Sequence, residues 1–230
     1  MADFAELPPV PAEWRIEAAD LLAEGVGGRV WKVRLAGGRT AALKQASPAA
    51  RDEVASGTDF LRWRDGNGVV RLLARTADMS LLEWAGSERL NDRLARHGDE
   101  AAAAIAADVV RKLHSPSGRP APASLIPLET YFTSLFRKAR SATGTADDGY
   151  FLETAALARR LLDRQRDVKP LHGDIHHDNI LHGERGWLAI DPKGLVGDPA
   201  YDAANMFQNP VGYELRSDAG RILSKAETMA

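Results

Sequence analysis

Cysteine is absent from this 230-residue chain. Without it there is no disulfide framework, no thiolate nucleophile and no zinc site built on sulfur. An excess of one charge sign is missing as well: 30 Lys and Arg stand against 32 Asp and Glu, a formal net charge of −2. Nothing global therefore pulls the chain toward nucleic acid or an anionic membrane. Long apolar runs are also lacking. The most apolar stretch, residues 101–107, is mostly alanine and is closed by Asp108, far short of the ~20 residues that cross a bilayer. The first ten residues hold two acids and two prolines and lack the basic start of a secretory leader, so the cytoplasm is the expected compartment. There are no internal repeats and no long low-complexity tract.

The composition is that of a folded soluble protein. Hydrophobic residues at 44% and charged residues at 27% exclude a wholly disordered chain. The length allows one large domain or two small lobes. Residues 20–25, 29–35 and 39–45 are short strand-like runs separated by Gly25, Gly27-Gly28 and Gly37-Gly38, since glycine pairs between apolar runs punctuate hairpins. Ser47-Pro48 opens a helix over 49–64 that stops at residues 65–68, and 69–74 and 80–84 read as two more strands. After a linker at 83–87 the texture turns helical. Residues 99–114 carry Ile105, Val109, Val110 and Leu113 at helical spacing, and 128–142, 150–166, 200–208 and 218–228 read as further helices. Residues 170–197 are short apolar pieces broken by Gly, Asp, His and Asn. The expected architecture is α+β: a small strand-rich N-lobe over 1–86 and a helical C-lobe over 87–230.

The chemistry concentrates in Leu171-His172-Gly173-Asp174-Ile175-His176-His177-Asp178-Asn179-Ile180-Leu181 and in Ile190-Asp191-Pro192-Lys193-Gly194. Asp174, Asn179 and Asp191 are oxygen-bearing side chains on loops beside short strands. Phosphoryl transfer needs this set: one carboxylate to accept or orient a hydroxyl proton, and an amide oxygen and a second carboxylate for Mg²⁺, which prefers hard oxygen ligands. The spacing matches the kinase loop H-R-D-x-x-x-x-N, whose Asn follows its Asp by five, as Asn179 follows Asp174. Asp191, seventeen residues on, stands where the Asp of D-F-G stands. Any one of these residues alone is more simply a turn cap; the whole string is not.

Upstream, Ala41-Ala42-Leu43-Lys44 matches the V-A-I-K strand whose Lys holds the α/β phosphates of ATP. Glu53, early in the first helix, is the candidate partner of Lys44, with Asp52 and Asp59 as rivals. Gly25, Gly27 and Gly28 lie where a phosphate-covering loop would lie. The third glycine of G-x-G-x-x-G is replaced by Val30, and by itself the segment reads as a hairpin turn.

His172-Gly173-Asp174-x-His176-x-x-Asn179 resembles the signature of the aminoglycoside phosphotransferase family, whose members share a protein-kinase-like bilobal fold. Asp191-Pro192-Lys193-Gly194, followed by Gly197-Asp198-Pro199-Ala200-Tyr201-Asp202, resembles more closely the aminoglycoside/hydroxyurea antibiotic resistance kinases, which include streptomycin 6-phosphotransferases. The resemblance runs from about Leu21 to Pro210. It implies an ATP- and Mg²⁺-dependent kinase acting on a small-molecule hydroxyl. It carries over Asp174 as catalytic base, Asn179 and Asp191 as Mg²⁺ ligands, Lys44 as the ATP lysine, and Glu83, Trp84 and Ala85 as the hinge whose backbone holds adenine. The family continues for several helices beyond the Asn209-Pro210 region, so the resemblance also implies an acceptor pocket more open than the family's, or a shortened form. Asp198 and Glu214 are the carboxylates within reach of a cationic acceptor; Asp198 reads equally as a turn cap and Asp202 as a tie between helix and catalytic loop.

Four histidines, His172, His176, His177 and His182, cluster within eleven residues. Zinc is not the expected reading. Pro170 and Gly173 disfavour a helix there, and no H-E-x-x-H pattern is present. His172, and with it His176, is expected to fix the loop backbone; His177 and His182 are expected to face solvent. The five tryptophans are scattered and read as packing residues. Two other functions stay open: a protein kinase, disfavoured by H-G-D, by the missing A-P-E and by the short interval from Asp191 to Asp202, and a nucleotide-binding module without turnover.

Overall fold

The computed structural model describes residues 7–142, 146–210, 212 and 218–229, without the side chains of residues 53, 146 and 147. Strands β1 (Ile16–Gly25), β2 (Gly28–Leu35) and β3 (Thr40–Ala46) form a meander. With β4 (Leu72–Arg75) and β5 (Met79–Glu83) they make a five-stranded antiparallel sheet in the order β1-β2-β3-β5-β4. Burial alternates along β2 and β3: Trp31, Val33 and Leu35 join Ala41, Leu43, Leu81 and Trp14 in a core on one face, the period-2 signature of a strand with two different faces.

Helix α1 (Arg51–Arg64) is inserted between β3 and β4. Among its buried residues, Ser56, Gly57, Phe60, Leu61 and Arg64 recur at helical spacing, and Thr58 is buried beside them. The helix ends where Asp65 takes a left-handed conformation and its N–H bonds back to Leu61 O. Phe60 and Leu61 do not pack with the sheet's own core. They belong to the second and larger one, with Leu90, Ala106, Val110, Leu113, Ile180 and Leu188, so α1 is anchored in the helical half.

That half holds α2 (Leu90–His97), α3 (Asp99–His114), α4 (Leu128–Tyr131), α5 (Thr133–Arg140), α6 (Ala146–Leu162), α7 (Ala200–Gln208) and α8 (Ala219–Met229). Ala102, Ala103 and Ala106 are buried on α3 and leave room for α2 and α8 to approach it. Two three-stranded sheets carry the loops of interest. One is β10-β9-β6, from Gly186–Ala189, Ile180–Gly183 and Glu88–Arg89; the other is β7-β11-β8, from Ile126–Pro127, Leu195–Gly197 and Lys169–Leu171.

The architecture is the expected α+β one, with local differences: β1 begins at Ile16 rather than at residue 20 and α6 at Ala146 rather than at 150, and three further differences have a structural cause. The helix anticipated over 128–142 is two helices, because Phe132 leaves helical geometry where its ring packs against Tyr201, 5.8 Å between centroids, and Tyr131. Helix α6 stops at Leu162 rather than 166, because Arg166 N and Gln165 Oε1 are drawn to Asp198 instead. The strand before Met79 begins at Leu72 rather than Val69, because Val69 and Val70 pair with Ala189 of β10.

Candidate active site

The face of the sheet opposite Trp31 and Leu43 carries Val30, Ala42 and Lys44. They line a cavity of about 420 Å³ between the sheet and the helical half. Glu83, Trp84 and Ala85 form one edge of it, Leu181 and Ile190 the opposite wall, and Lys44, Asn179 and Asp191 a polar end. Strand register thus places a lysine 130 residues and more away in sequence beside the loops that hold Asp174, Asn179 and Asp191.

Those loops are built from few parts. Strand β8 delivers His172 at its end, and β11 pairs with it through Leu195 and Leu171. Gly173 then turns with φ +83; a Cβ there would lie 2.6 Å from Leu195 Cγ, so only glycine fits. Buried Asp202 of α7 accepts from His172 N at 3.0 Å, Gly173 N at 2.6 Å and His114 Nε2 at 2.9 Å, tying helix to loop. His172 is fully buried. Its Nε2 donates to Ile190 O at 2.9 Å and its Nδ1 accepts from Asp174 N at 3.3 Å. Burial pushes its pKa down against the charges of Asp202, Asp174 and Asp191, so the ring is the neutral Nε2–H tautomer that this network assigns.

Asn179 Nδ2 donates to Asp174 O at 2.9 Å, which turns Asn179 Oδ1 away from that contact. Ile190 N donates to Asn179 O at 2.9 Å and Lys193 N to His172 O at 2.8 Å. The loop of Asp174 and the loop of Asp191 are therefore cross-bonded and hold their carboxylates in one fixed relation. Asp191 itself adopts φ 58, a left-handed conformation that Asp tolerates better than most residues. Its carboxylate is ion-paired with Lys44. Asp174 Oδ1 accepts from Asn205 Nδ2 at 3.0 Å, and Lys193 Nζ lies 3.7 Å from its Oδ2.

Among the described residues no three His, Cys, Asp or Glu side chains converge to hold a metal ion. The donor set of this site is instead one amide oxygen and one carboxylate, Asn179 and Asp191. Such a set fits Mg²⁺, which takes one or two protein oxygens and completes its shell with phosphates and water. The rings of His172 and His176 are engaged elsewhere, the latter accepting from Asp178 N at 3.3 Å.

The remaining candidates fall in different places. Gly25 and Gly28 pair across the β1–β2 hairpin, and Ser47 N and Oγ bind Gly27 O and Val26 O at 3.1 and 2.7 Å, so the turn is tied to the end of β3. The carboxylate of Glu83 turns away from the cavity: Arg185 donates to both its oxygens at 2.6 Å and Arg71 N to one at 2.9 Å. Burial opposes its charge, but Arg185 prevails and its pKa lies below the ordinary value. Lys32 Nζ sits 5.2 Å from the ring centroid of Trp84. Glu53 lies on α1, its side chain outside the described residues, and Glu214 also lies outside them. Both oxygens of Asp198 are taken by backbone N–H groups, Ala200 at 3.0 Å and Arg166 at 2.9 Å. His177 does not face solvent: it is fully buried, and neither ring nitrogen has a hydrogen-bond partner among the described residues. Sequence reasoning missed Asn205, Lys193 and Arg185. Only Lys193 had a local signal, its place in the Asp191-Pro192-Lys193-Gly194 string; the other two are brought in by folding alone.

The family described as aminoglycoside/hydroxyurea antibiotic resistance kinase matches residues 13–230. A streptomycin 3''-kinase of Klebsiella pneumoniae is 42% identical over 171 residues, covering 74% of this chain and 60% of that protein. A streptomycin 6-kinase of Streptomyces griseus is 31% identical over 207 residues, covering 86% and 66%. The chain thus spans about three fifths to two thirds of the length of these relatives. A crystal structure of an aminoglycoside-3'-phosphotransferase of type VIII superposes with a TM-score of 0.64 at 18% identity, over 91% of this chain and 85% of that one. That likeness establishes the protein-kinase-like fold.

Proposed function

The chain belongs to the aminoglycoside/hydroxyurea antibiotic resistance kinase family, and on that premise we propose that it is an ATP-dependent O-phosphotransferase acting on a small-molecule hydroxyl, with streptomycin as the favoured acceptor. The observation that carries this is the convergence of the Lys44 ammonium and the oxygens of Asn179 and Asp191 at the polar end of an apolar cavity, on loops cross-bonded to the one that holds Asp174.

In this reading residues 1–86 form the nucleotide-binding lobe and 87–230 the catalytic lobe. Adenine lies between Val30 and Ala42 on one side and Leu181 and Ile190 on the other, with its polar edge at the backbone of Glu83 to Ala85. The clamp of Glu83 by Arg185 keeps the carboxylate out of the cavity and leaves the backbone to read the base. Gly25, Gly27 and Gly28 cover the phosphates, and Lys44 exchanges its ion pair with Asp191 for the α and β phosphates. Asn179 and Asp191 hold Mg²⁺, which when bound neutralises charge on the phosphate oxygens. Asp174 accepts the proton of the acceptor hydroxyl, at about 2.6–3.2 Å. Asn205, bonded to Oδ1, orients the carboxylate so that Oδ2 is the oxygen offered to the acceptor.

The test is ADP release from Mg·ATP by the purified chain, with streptomycin, other aminoglycosides and hydroxyurea as acceptors, and mass spectrometry of the product. Asp174→Asn is expected to lower kcat by about 10²–10⁴-fold while leaving nucleotide affinity near wild type. No acceptor-dependent ADP release from any compound, or a variant as active as wild type, would overturn the reading.

A further inference from the structure

Lys44 and Ser80 stand directly opposite each other in the ladder between β3 and β5. Opposite residues of an antiparallel pair share a face, with Cβ atoms about 4.5–5.5 Å apart. Ser80 is 2% exposed there. Both residues line a small cavity of about 20 Å³ that adjoins the polar end of the larger one and shares Lys44, Leu82 and Asp191 with it. That is about the room one water or one ammonium group needs.

Helix α1 closes the small cavity with Val54, Gly57, Thr58 and Leu61. At about 100° per residue these four form one stripe. Thr58 Oγ1 is already engaged, donating to Ala55 O at 2.9 Å and accepting from Arg75 at 3.0 Å. Gly57 brings the helix against Pro192 O, where a Cβ would stand 2.0 Å away, so no longer side chain fits at that position. Asp52 and Asp59 fall on the other side of α1. Asp52 is exposed, and Asp59 accepts from Arg75 at 2.8 Å and from Ser124 Oγ at 2.7 Å. Glu53 falls about 90° round the helix from the centre of the stripe. Among the described residues, α1 therefore offers Lys44 no carboxylate.

An ammonium carries three N–H donors, and the Lys44 side chain is 17% exposed. In this structure the ion pair with Asp191 serves it. Once Asp191 is given over to Mg²⁺, the α and β phosphates supply two acceptors, and a third donor out of water needs one from the protein. Ser80 Oγ is the oxygen on Lys44's own face of the sheet, one strand away. We propose that Ser80 is a positioning residue for Lys44: its Oγ accepts one N–H of the ammonium and holds the other two at the α and β phosphates. This rests on the reading of the chain as an ATP-dependent O-phosphotransferase. The flexible stem of Lys44 lets Nζ leave Asp191 and settle between Ser80 and the phosphates, so the lysine does not compete with Mg²⁺ for the carboxylate.

The experiment measures Ser80→Ala, Ser80→Thr and Glu53→Gln against wild type. Ser80→Ala removes one oxygen and leaves the packing; Ser80→Thr keeps the hydroxyl. Binding is read by calorimetry with Mg·AMP-PNP, an ATP analogue that is not hydrolysed, and with adenosine, which has no phosphate for Lys44 to hold. For Ser80→Ala, Kd for Mg·AMP-PNP is expected to rise about tenfold or more, the size of one lost hydrogen bond to a charged group. Kd for adenosine and the thermal midpoint of the free protein should stay near wild type, and Ser80→Thr should regain most of the affinity. A Kd for Mg·AMP-PNP within about threefold of wild type overturns the proposal, and so does an equal loss for adenosine, which a merely structural role would give. A loss in Glu53→Gln with none in Ser80→Ala overturns it too and returns the role to α1. Wild type that binds Mg·AMP-PNP but transfers phosphate to no acceptor refutes the phosphotransferase reading alone, and Ser80 is then judged on binding. Wild type that binds no Mg·AMP-PNP overturns both.

Discussion

Gly57 of α1 lies close against Pro192 in the loop of Asp191, and the consequence can be worked out in numbers. Gly57 sits inside α1, where alanine is intrinsically favoured over glycine by about 1 kcal/mol. A Cβ added there would lie 2.0 Å from Pro192 O and 3.1 Å from Pro192 C. Both partners are backbone, and Pro192 follows Asp191 directly. Relief of the clash needs a shift of about an ångström in the Asp191 loop or in α1. Such overpacking costs about 1–3 kcal/mol, which at least cancels the helix-propensity gain. Net stability of Gly57→Ala should therefore change little or fall by up to about 2 kcal/mol. Turnover should suffer more, since a misplacement of about 1 Å at a catalytic site costs on the order of 10²-fold.

Gly149 supplies the control. It lies at an exposed position of α6, and among the described residues nothing stands within 4 Å of a Cβ placed there. Gly149→Ala should gain about 0.5–1 kcal/mol, a rise of roughly 2–4 °C in Tm for each kcal/mol in a chain of this size, with kcat unchanged. The assay is a thermal melt and steady-state ADP release on both variants. If Gly57→Ala behaves like Gly149→Ala in both measurements, close packing of α1 on the metal loop does not position Asp191 and the reasoning fails.

His177 makes stability depend on pH. Burial, then the nearby charge of Lys225, lowers its pKa to about 4; Asp99 opposes this, and Arg221 and His176 add to it. Because the folded-state value is depressed, the unfolded chain takes up a proton first. Its contribution is constant above about pH 6.5 and falls by roughly 3 kcal/mol between there and pH 4. Urea unfolding of His177→Leu should show a shallower loss across that window and no penalty at pH 7, since neither ring nitrogen has a partner to lose among the described residues; parallel curves would refute the assignment. Asp202→Asn replaces an acceptor of three hydrogen bonds with a group that accepts on one oxygen only. It should cost about 2 kcal/mol and lower kcat, and a denaturation midpoint equal to wild type would contradict the tie between α7 and the catalytic loop. Asp198→Asn should lower the melting temperature through its two backbone contacts and leave acceptor KM within about twofold across a salt series. A selective rise in acceptor KM would instead make Asp198 part of a cationic-acceptor pocket.

Much of the site was readable because it is local. The interval from Asp174 to Asn179 and the apolar strand ending at Asp191 are contiguous patterns whose geometry depends on a few backbone torsions. The alanine-rich helix over Asp99–His114 was legible for the same reason, since its buried positions repeat at helical spacing. What failed was set by contacts distant in sequence. Helix α6 ends early because Asp198 captures the backbone that follows it. His177 looked like a solvent-facing loop residue, yet it is buried beside Lys225 and Asp99, contributed by α8 and the start of α3.

The amino-acid sequence by itself determined the α+β division, the alternation that aims Lys44 into the cleft once β3 is formed, and the residue types that phosphoryl transfer needs. Those follow from short-range sterics and from periods of 2 and 3.6, which need no knowledge of the rest of the chain. Only the tertiary structure decided which lysine faces which carboxylate, that Asn205 holds Asp174 from 31 residues away, and that Arg185 locks Glu83 across 102 residues. Such pairings depend on how helices and loops dock around a shared core. Each docking contact gains little alone, and it is packing of the whole that selects one arrangement.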